Sequence, residues 1–180
     1  MKILICYAST EGQTRKICRF AADRLIALGH SVEMLAARDT GDLALAPFDA
    51  VILAGSVHIG RLQHDLADFA QAEAPVLNTL PTLFLQVSLA AAGDDAGDLA
   101  ELDRIAADFC TKTGWTPGAV HQIAGAFRFS EYDFFRSWAM RWIAHQKGEE
   151  VDPTQDKEYT DWAVLSDILA DWAAAAPGGG

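Results

Sequence analysis

The sequence predicts an α/β fold: a doubly wound, five-stranded parallel sheet of order 2-1-3-4-5, with a helical insertion before the last helix. Three observations predict it. Five short, almost wholly apolar runs alternate with amphipathic helical patterns, and strands that lack polar alternation are those covered by helices on both faces. A loop rich in hydroxyls and containing a glycine follows the first run, as expected where such a sheet binds an anion at its switch point. Residues 128–159 then separate the fifth strand from the last helix, a connection too long for a plain loop and with a helical pattern of its own.

Taken in order, residues 2–8 read as a buried strand ended by the polar stretch Ser9-Thr10-Glu11-Gly12-Gln13-Thr14. Ile17, Phe20, Ala21, Leu25 and Leu28 recur at helical spacing and Gly29 follows as a stop, which predicts a helix over 14–28. Residues 31–35 and 49–57 are the second and third strands, the latter continuous and apolar. A helix over 64–74 turns Leu66, Phe69 and Ala70 inward. Residues 81–88 form the fourth strand, with Pro81 at its first position, where a proline is tolerated. Residues 90–97 are small, acidic and glycine-containing, hence a loop; a helix over 98–112 follows, with Leu99, Leu102, Ile105, Ala106 and Phe109 inward. The fifth strand is 119–127. The last helix is 160–174, with Thr160 as its cap and Trp162, Leu165, Ile168, Leu169 and Trp172 as its apolar face. The chain reads as a single domain over 1–176, with its insertion at 128–159 and a frayed tail at 177–180.

At 180 residues the chain is long enough to bury a core without a disulfide or metal staple. Hydrophobic residues make up 51% and charged residues 22%, which excludes wholesale disorder. Lys and Arg number 14 against 25 Asp and Glu, and a net charge of -11 argues against nucleic acid as a partner. No apolar run is long enough to span a membrane. The N-terminus runs straight into a strand pattern with no polar spacer or small-residue cleavage site, so it is not read as a signal peptide. Cys6, Cys18 and Cys110 are too few and too scattered for a disulfide framework or a CxxC metal site; no metal is expected, and a reducing, cytoplasmic setting is the simplest reading.

The strongest chemical signal is the loop from Ser9 to Thr14. A helix N-terminus presents unpaired amides and a partial positive charge. The hydroxyls of Ser9, Thr10 and Thr14 add donors, and Gly12 lets the backbone come close to a ligand. Together these make a site for a phosphate. Ser9 or Thr10 as a plain helix cap explains the same residues equally well, and the loop alone leaves both open. It is neither GxGxxG nor GxxxxGK[ST], so dinucleotide and nucleoside-triphosphate readings lose support. In the expected topology the loops after strands one, three and four converge. The latter two are Ser56-Val57-His58-Ile59-Gly60 and Ser88-Leu89-Ala90-Ala91-Ala92-Gly93, small enough to hold a flat ring between them.

The chain resembles the flavodoxin superfamily, whose first loop has the form T-x-T-G-x-T; here it is Ser9-x-Glu11-Gly12-x-Thr14. Within that superfamily it looks most like the flavodoxin-type, quinone-dependent protoporphyrinogen IX dehydrogenases, over nearly the whole chain. The likeness rests on Glu11-Gly12-Gln13-Thr14-Arg15, on Gly55-Ser56 with Gly60, on Ile123-Ala124-Gly125-Ala126 with Arg128, and on the aromatic insertion ending in Tyr159-Thr160-Asp161-Trp162. It implies a flavodoxin-like fold that binds FMN and passes electrons from a porphyrinogen to a respiratory quinone, as part of haem biosynthesis. By the same resemblance Ser9, Thr10, Glu11 (through its amide only), Gly12, Gln13 and Thr14 would hold the FMN phosphate. Ser56, Val57, His58, Ile59 and Gly60 would line one side of the ring, and Ser88, Leu89, Ala90 and Ala91 the other. Neither ring loop contains Trp or Tyr, so an exposed ring or stacking by His58 are both left open.

Residues 128–148 carry four basic side chains against two acids, with Phe134, Phe135, Trp138, Trp142 and Ile143 at helical spacing. Such a stripe serves either as a membrane-surface or substrate-capping face or as added core. On the first reading Arg128, Arg136, Trp138, Arg141 and Trp142 meet the porphyrinogen, aromatic faces against its ring and arginines against its carboxylates. The protein would then act in the cytoplasm, in peripheral contact with the inner face of the cell membrane through 128–148; homo-oligomerisation is left open. Residues 149–161 turn acidic, with six acids against Lys157, which argues against tight binding to an anionic bilayer. Two functions compete: an FMN oxidoreductase acting on a porphyrinogen, and an acidic FMN electron carrier that turns over no substrate. The aromatic insertion favours the first and the net charge the second. A phosphoacceptor receiver domain of the same topology is set aside, because Gly55-Ser56, not an aspartate, ends the third strand.

Overall fold

The structure, a computed structural model, describes residues 1–127 and 157–176. Five parallel strands form one sheet of order β2-β1-β3-β4-β5, as expected. They are β1 (Lys2–Ala8), β2 (Ser31–Ala36), β3 (Ala50–Ser56), β4 (Thr82–Ser88) and β5 (Ala119–Ala124). The four helices among the described residues are α1 (Gln13–Ala27), α2 (His64–Leu77), α3 (Ala96–Thr113) and α4 (Trp162–Ala175).

The sequence pattern of each strand follows its place in the sheet. The central strands β1, β3 and β4 are buried almost throughout, while the edge strands β2 and β5 keep exposed positions. Alternate residues of the central strands serve two separate cores. Leu4, Cys6, Val51, Leu53 and Phe84 pack with Leu66, Phe69, Phe109 and Trp115 on the α2/α3 face. Ile3, Ile5, Ile52, Leu83 and Leu85 pack with Ile17, Leu25, Leu165 and Leu169 on the α1/α4 face. Two apolar faces on each central strand are what make its sequence a continuous apolar run. Cys6 and Cys18 lie inside the α2/α3 and α1/α4 cores respectively. Burial pushes both thiols well above their ordinary value, with Cys6 adding to the effect at Cys18, so neither is a nucleophile.

Four boundaries differ from expectation, each for a physical reason. α2 runs past Pro75 to Leu77: the ring removes one helical donor, but Ala74 and Leu77 are buried and packing carries the helix on. α3 starts at Ala96, because the Asp95 carboxylate accepts from the amides of Gly97 and Asp98, both at 2.9 Å. The predicted fifth strand divides at Gly125, whose N–H donates to Ser88 O at 2.8 Å and whose carbonyl accepts from Tyr159 N at 3.0 Å. Beyond it, β6 (Ala126–Phe127) pairs antiparallel with β7 (Lys157–Glu158), so the two ends of the long connection are clamped together. Finally, α4 is capped by Asp161, which accepts from the amides of Ala163 and Val164 at 3.0 Å each, and not by Thr160. The side chains of the remaining insertion and of the tail, residues 128–156 and 177–180, lie outside the described residues. No described helix is long and apolar enough to cross a membrane.

Candidate functional site

The loops after β1, β3 and β4 meet at the carboxyl edge of the sheet. The pairing that fixes this edge runs on beyond the strands: Val57 N donates to Val87 O at 2.7 Å, and Gly125 N to Ser88 O at 2.8 Å. Gly55 seats the start of α2 against it. A Cβ there would lie 2.7 Å from Leu66 Cδ2 and 2.8 Å from Leu62 Cδ2, too close for any other residue without rearrangement.

In the first loop the Ser9 hydroxyl accepts from Gly12 N at 3.0 Å and closes the turn. Gly12 stands at the helix N-terminus with φ 88°, a left-handed conformation that suits glycine. No side chain caps α1, and no acidic residue lies in its first turn. The positive end of the helix is thus left without a cap of its own, facing the loop. Thr14 is only 1% exposed, and its hydroxyl finds no hydrogen-bond partner among the described residues. A buried, unspent hydroxyl behind an uncapped helix start is the arrangement that a bound phosphate would satisfy. Gln13 has its side chain engaged elsewhere: Nε2 donates to Thr160 Oγ1 at 3.0 Å and to Glu158 Oε2 at 3.1 Å, leaving its backbone amide for the loop. Thr10 is exposed, and Glu11 half-buried.

The second loop is a tight reversal. His58 and Arg61 exchange backbone hydrogen bonds of 2.8 and 3.1 Å, with Ile59 at φ 49° and Gly60 at φ 70° between them. Two left-handed residues in succession define the two-residue turn that joins antiparallel segments. A β-branched residue is rarely held there, and Ile59 is also the most exposed large apolar side chain described, at 72%. In the third loop the buried Ser88 hydroxyl accepts from Ala91 N at 3.1 Å, rounding Leu89, Ala90 and Ala91 into a single turn. These residues are half-buried, and so are Ser56, Val57 and His58.

Two parts of this region were not foreseen. Gln63, just before α2, has its Nε2 within reach of two hydroxyls: Thr10 Oγ1 at 3.1 Å, and Ser56 Oγ in a shorter contact. A glutamine before a helix reads as a surface residue, and its sequence position gives no hint of a link to residue 10. The second is a latch around Glu158. Its carboxylate accepts from Gln13, from Lys16 Nζ at 2.5 Å and from Trp162 Nε1 at 2.9 Å. Thr160 donates to Ala124 O at 2.7 Å, tying the same latch to the end of β5. The Phe20 and Trp162 rings pack at a tilt of 49°, with centroids 4.9 Å apart. Partial burial pushes the Glu158 carboxyl up, but the donors from Lys16, Gln13 and Trp162, with the charge of Lys16, outweigh it and hold it below its ordinary value. The latch's contribution to stability is thus full above the ordinary carboxylate range and is lost as pH falls through the lowered value. Glu158→Gln should melt at lower temperature than the parent near neutral pH, and the gap should close on acidification; a gap that widens in acid would contradict this.

Arg128, Arg136, Trp138, Arg141 and Trp142 all lie outside the described residues. Among the described residues no three His, Cys, Asp or Glu side chains gather in a metal-ligating group. A groove of about 550 Å³ between α3 and the start of β5 lies at the opposite edge of the sheet from these loops.

The model of the family described as "Flavodoxin domain" matches residues 4–154, most of the chain. The chain belongs to the flavodoxin domain family. It is 26% identical over 173 residues to the protoporphyrinogen IX dehydrogenase [quinone] of Escherichia coli K12, a match covering 96% of this chain and 95% of that one. It is 27% identical over 174 residues to the protein of the same name from Leishmania major, covering 96% of this chain and 75% of the other. Among solved structures, the flavodoxin of Streptococcus pneumonia TIGR4 superposes with a TM-score of 0.51 at 20% identity, spanning 81% of this chain and 100% of that one. The flavodoxin fold read from the sequence is therefore the fold of this family member. The flavodoxin structure leaves part of this chain unmatched, whereas the two dehydrogenases align over nearly all of it.

Proposed function

We propose that this flavodoxin-family protein is an FMN-dependent oxidoreductase that dehydrogenates protoporphyrinogen IX to protoporphyrin IX with a quinone as acceptor, a step of haem biosynthesis. What carries the reading over the electron-carrier alternative is the extent of the likeness. The protoporphyrinogen IX dehydrogenase [quinone] of E. coli aligns with 96% of this chain and 95% of its own length, so the likeness reaches well beyond the sheet and its loops.

The residues at the carboxyl edge fit FMN. The uncapped start of α1 and the buried, unpartnered Thr14 hydroxyl would hold its phosphate, with the Gln13 amide and Thr10 around it and the bare Gly12 letting the backbone come close. The turns at Ser56–Gly60 and Ser88–Ala91 would flank its ring. Bound FMN would supply the redox chemistry, taking hydrogen from the porphyrinogen and reducing quinone to quinol. The protein's own part is to bind, to orient and to shield; the site residues described include no paired carboxylates and no activated thiol that would add acid–base or nucleophilic chemistry. In this reading Arg128, Arg136 and Arg141 serve the substrate carboxylates, and Trp138 and Trp142 its ring. A respiratory quinone is a membrane solute, so turnover would take place at the inner membrane face.

The test is anaerobic turnover of protoporphyrinogen IX by FMN-loaded protein with a soluble quinone, following porphyrin fluorescence. Porphyrin and quinol should form together, three quinols to each porphyrin, because the conversion removes six hydrogens and each quinone takes two. The paired change Arg136→Ala with Arg141→Ala should raise KM for the porphyrinogen about tenfold or more, the loss expected from removing paired carboxylate contacts, with FMN content unchanged. A flavoprotein that accepts electrons from a reductase but forms no porphyrin would be the carrier.

A further inference from the structure

Gln63 joins the phosphate-side loop to the ring-side loop. A single nitrogen, Nε2, contacts Thr10 Oγ1 on the first and Ser56 Oγ on the second. An amide nitrogen carries two hydrogens and no acceptor, so both contacts run the same way: Gln63 donates and each hydroxyl accepts. A hydroxyl has one hydrogen of its own, and with its oxygen occupied by Gln63 that hydrogen remains to be given to something else. The opposite face of the amide, Oε1, is buried and without a partner among the described residues; it lies 3.5 Å from where a Cβ on Gly55 would stand. Reversing the amide would bury an unpaired N–H in its place, which folded proteins tolerate less well than an unpaired carbonyl. The side chain thus has one favoured polarity, and that polarity leaves Thr10 and Ser56 as donors.

We propose that Gln63 is a positioning residue that sets the preference of this site for a phosphorylated flavin, by holding the Thr10 and Ser56 hydroxyls as donors to the ligand from two separate loops. The inference rests on the FMN reading above. With the Thr10 hydroxyl turned the other way the first loop would present a lone pair to a phosphate and repel it, whereas Ser56 serves the ring side. Gln63 touches no ligand itself; its effect passes through Thr10 and Ser56.

The experiment is a fluorescence titration of the apoprotein with FMN and, separately, with riboflavin, which has the ring but no phosphate. In Gln63→Leu the affinity for FMN should fall about tenfold, the size of one hydrogen bond to a charged group, and that for riboflavin much less. The FMN-over-riboflavin preference therefore narrows. Gln63→Glu keeps the shape but only accepts, which turns both hydroxyls inward and adds a like charge; it should narrow the preference further. Melting curves of the apoproteins accompany the titrations, and Gln63→Glu serves if the leucine variant does not fold. Equal losses for both flavins would make Gln63 a mere prop and overturn the proposal, as would unchanged FMN affinity. A parent protein that binds neither flavin would remove the cofactor reading first and this proposal with it.

Discussion

Replacing Thr14 by valine should weaken FMN binding about ten- to a hundredfold and leave riboflavin binding nearly as it was. The side chain is 1% exposed, and its hydroxyl has no partner among the described residues. Burying a hydroxyl unpaired costs about 1–3 kcal/mol, so the free protein gains nothing from it. A hydrogen bond to a charged group is worth about 1.5–3 kcal/mol, which sets the range expected on loss of the phosphate contact. Valine has nearly the same shape and removes the orphan. The apoprotein should therefore be as stable as the parent or more so, while the FMN-loaded protein loses stability. Opposite signs in the two forms are hard to produce by a packing defect. Unchanged FMN affinity would mean that the amides at the start of α1 suffice for the phosphate; a destabilised apoprotein would mean that the hydroxyl has a partner in the fold.

The largest stability effect should come from Trp115→Ala. Trp115 is fully buried and meets Phe84 and Phe109 edge-on, with centroids 5.5 and 6.4 Å away, while those two rings stack on each other at 5.2 Å. Truncating so large a core residue costs about 3–5 kcal/mol, a large share of the 5–15 kcal/mol that holds a domain together. Urea unfolding should show the loss as a lower midpoint, and melting should drop by about 10 °C. Trp115→Phe should recover most of it. The indole N–H is itself unpartnered among the described residues, so phenylalanine gives up volume but also removes a buried donor. FMN affinity should survive in both wherever the protein is folded, because the cluster lies away from the three loops. A phenylalanine variant as unstable as the alanine one would show that the indole nitrogen has a role in the fold.

The sheet was legible in the sequence because its centre is simple. β1, β3 and β4 are buried on both faces, and runs such as Ile3-Leu4-Ile5 or Val51-Ile52-Leu53 have no other ready explanation. Where the reading slipped, a local rule met a tertiary contact. The helix expected over 64–74 runs on through Pro75 because Leu77 is buried. Thr160 resembled a cap, but its hydroxyl is taken by Ala124 and Gln13 and the neighbouring Asp161 does the capping. The loops of the candidate site were legible from their order along the chain, since topology alone brings them together. What their side chains do was less so. Gln13 and Gln63 are both amides beside a helix start, yet one is turned into the latch and the other across to Thr10 and Ser56. That choice is made largely by distant partners, Thr10 at 53 positions from Gln63 and Thr160 at 147 from Gln13, which no local pattern records.

The Gln13–Thr160 contact also bears on the order in which the molecule can be completed. It closes a span of 147 positions, most of the chain. Contacts between such distant residues form late, because the entropy of closing the intervening chain must be met before they return anything. The first turn of α1 belongs to one of the earliest segments to leave a ribosome, but its buried partner is among the last. A nascent chain can thus carry a finished β1 and α1 while the anion loop between them still lacks its brace. On the FMN reading proposed above, cofactor capture becomes an act of the released protein, and a chain cut short before Glu158 would be deprived of the latch at the opposite end from the cut.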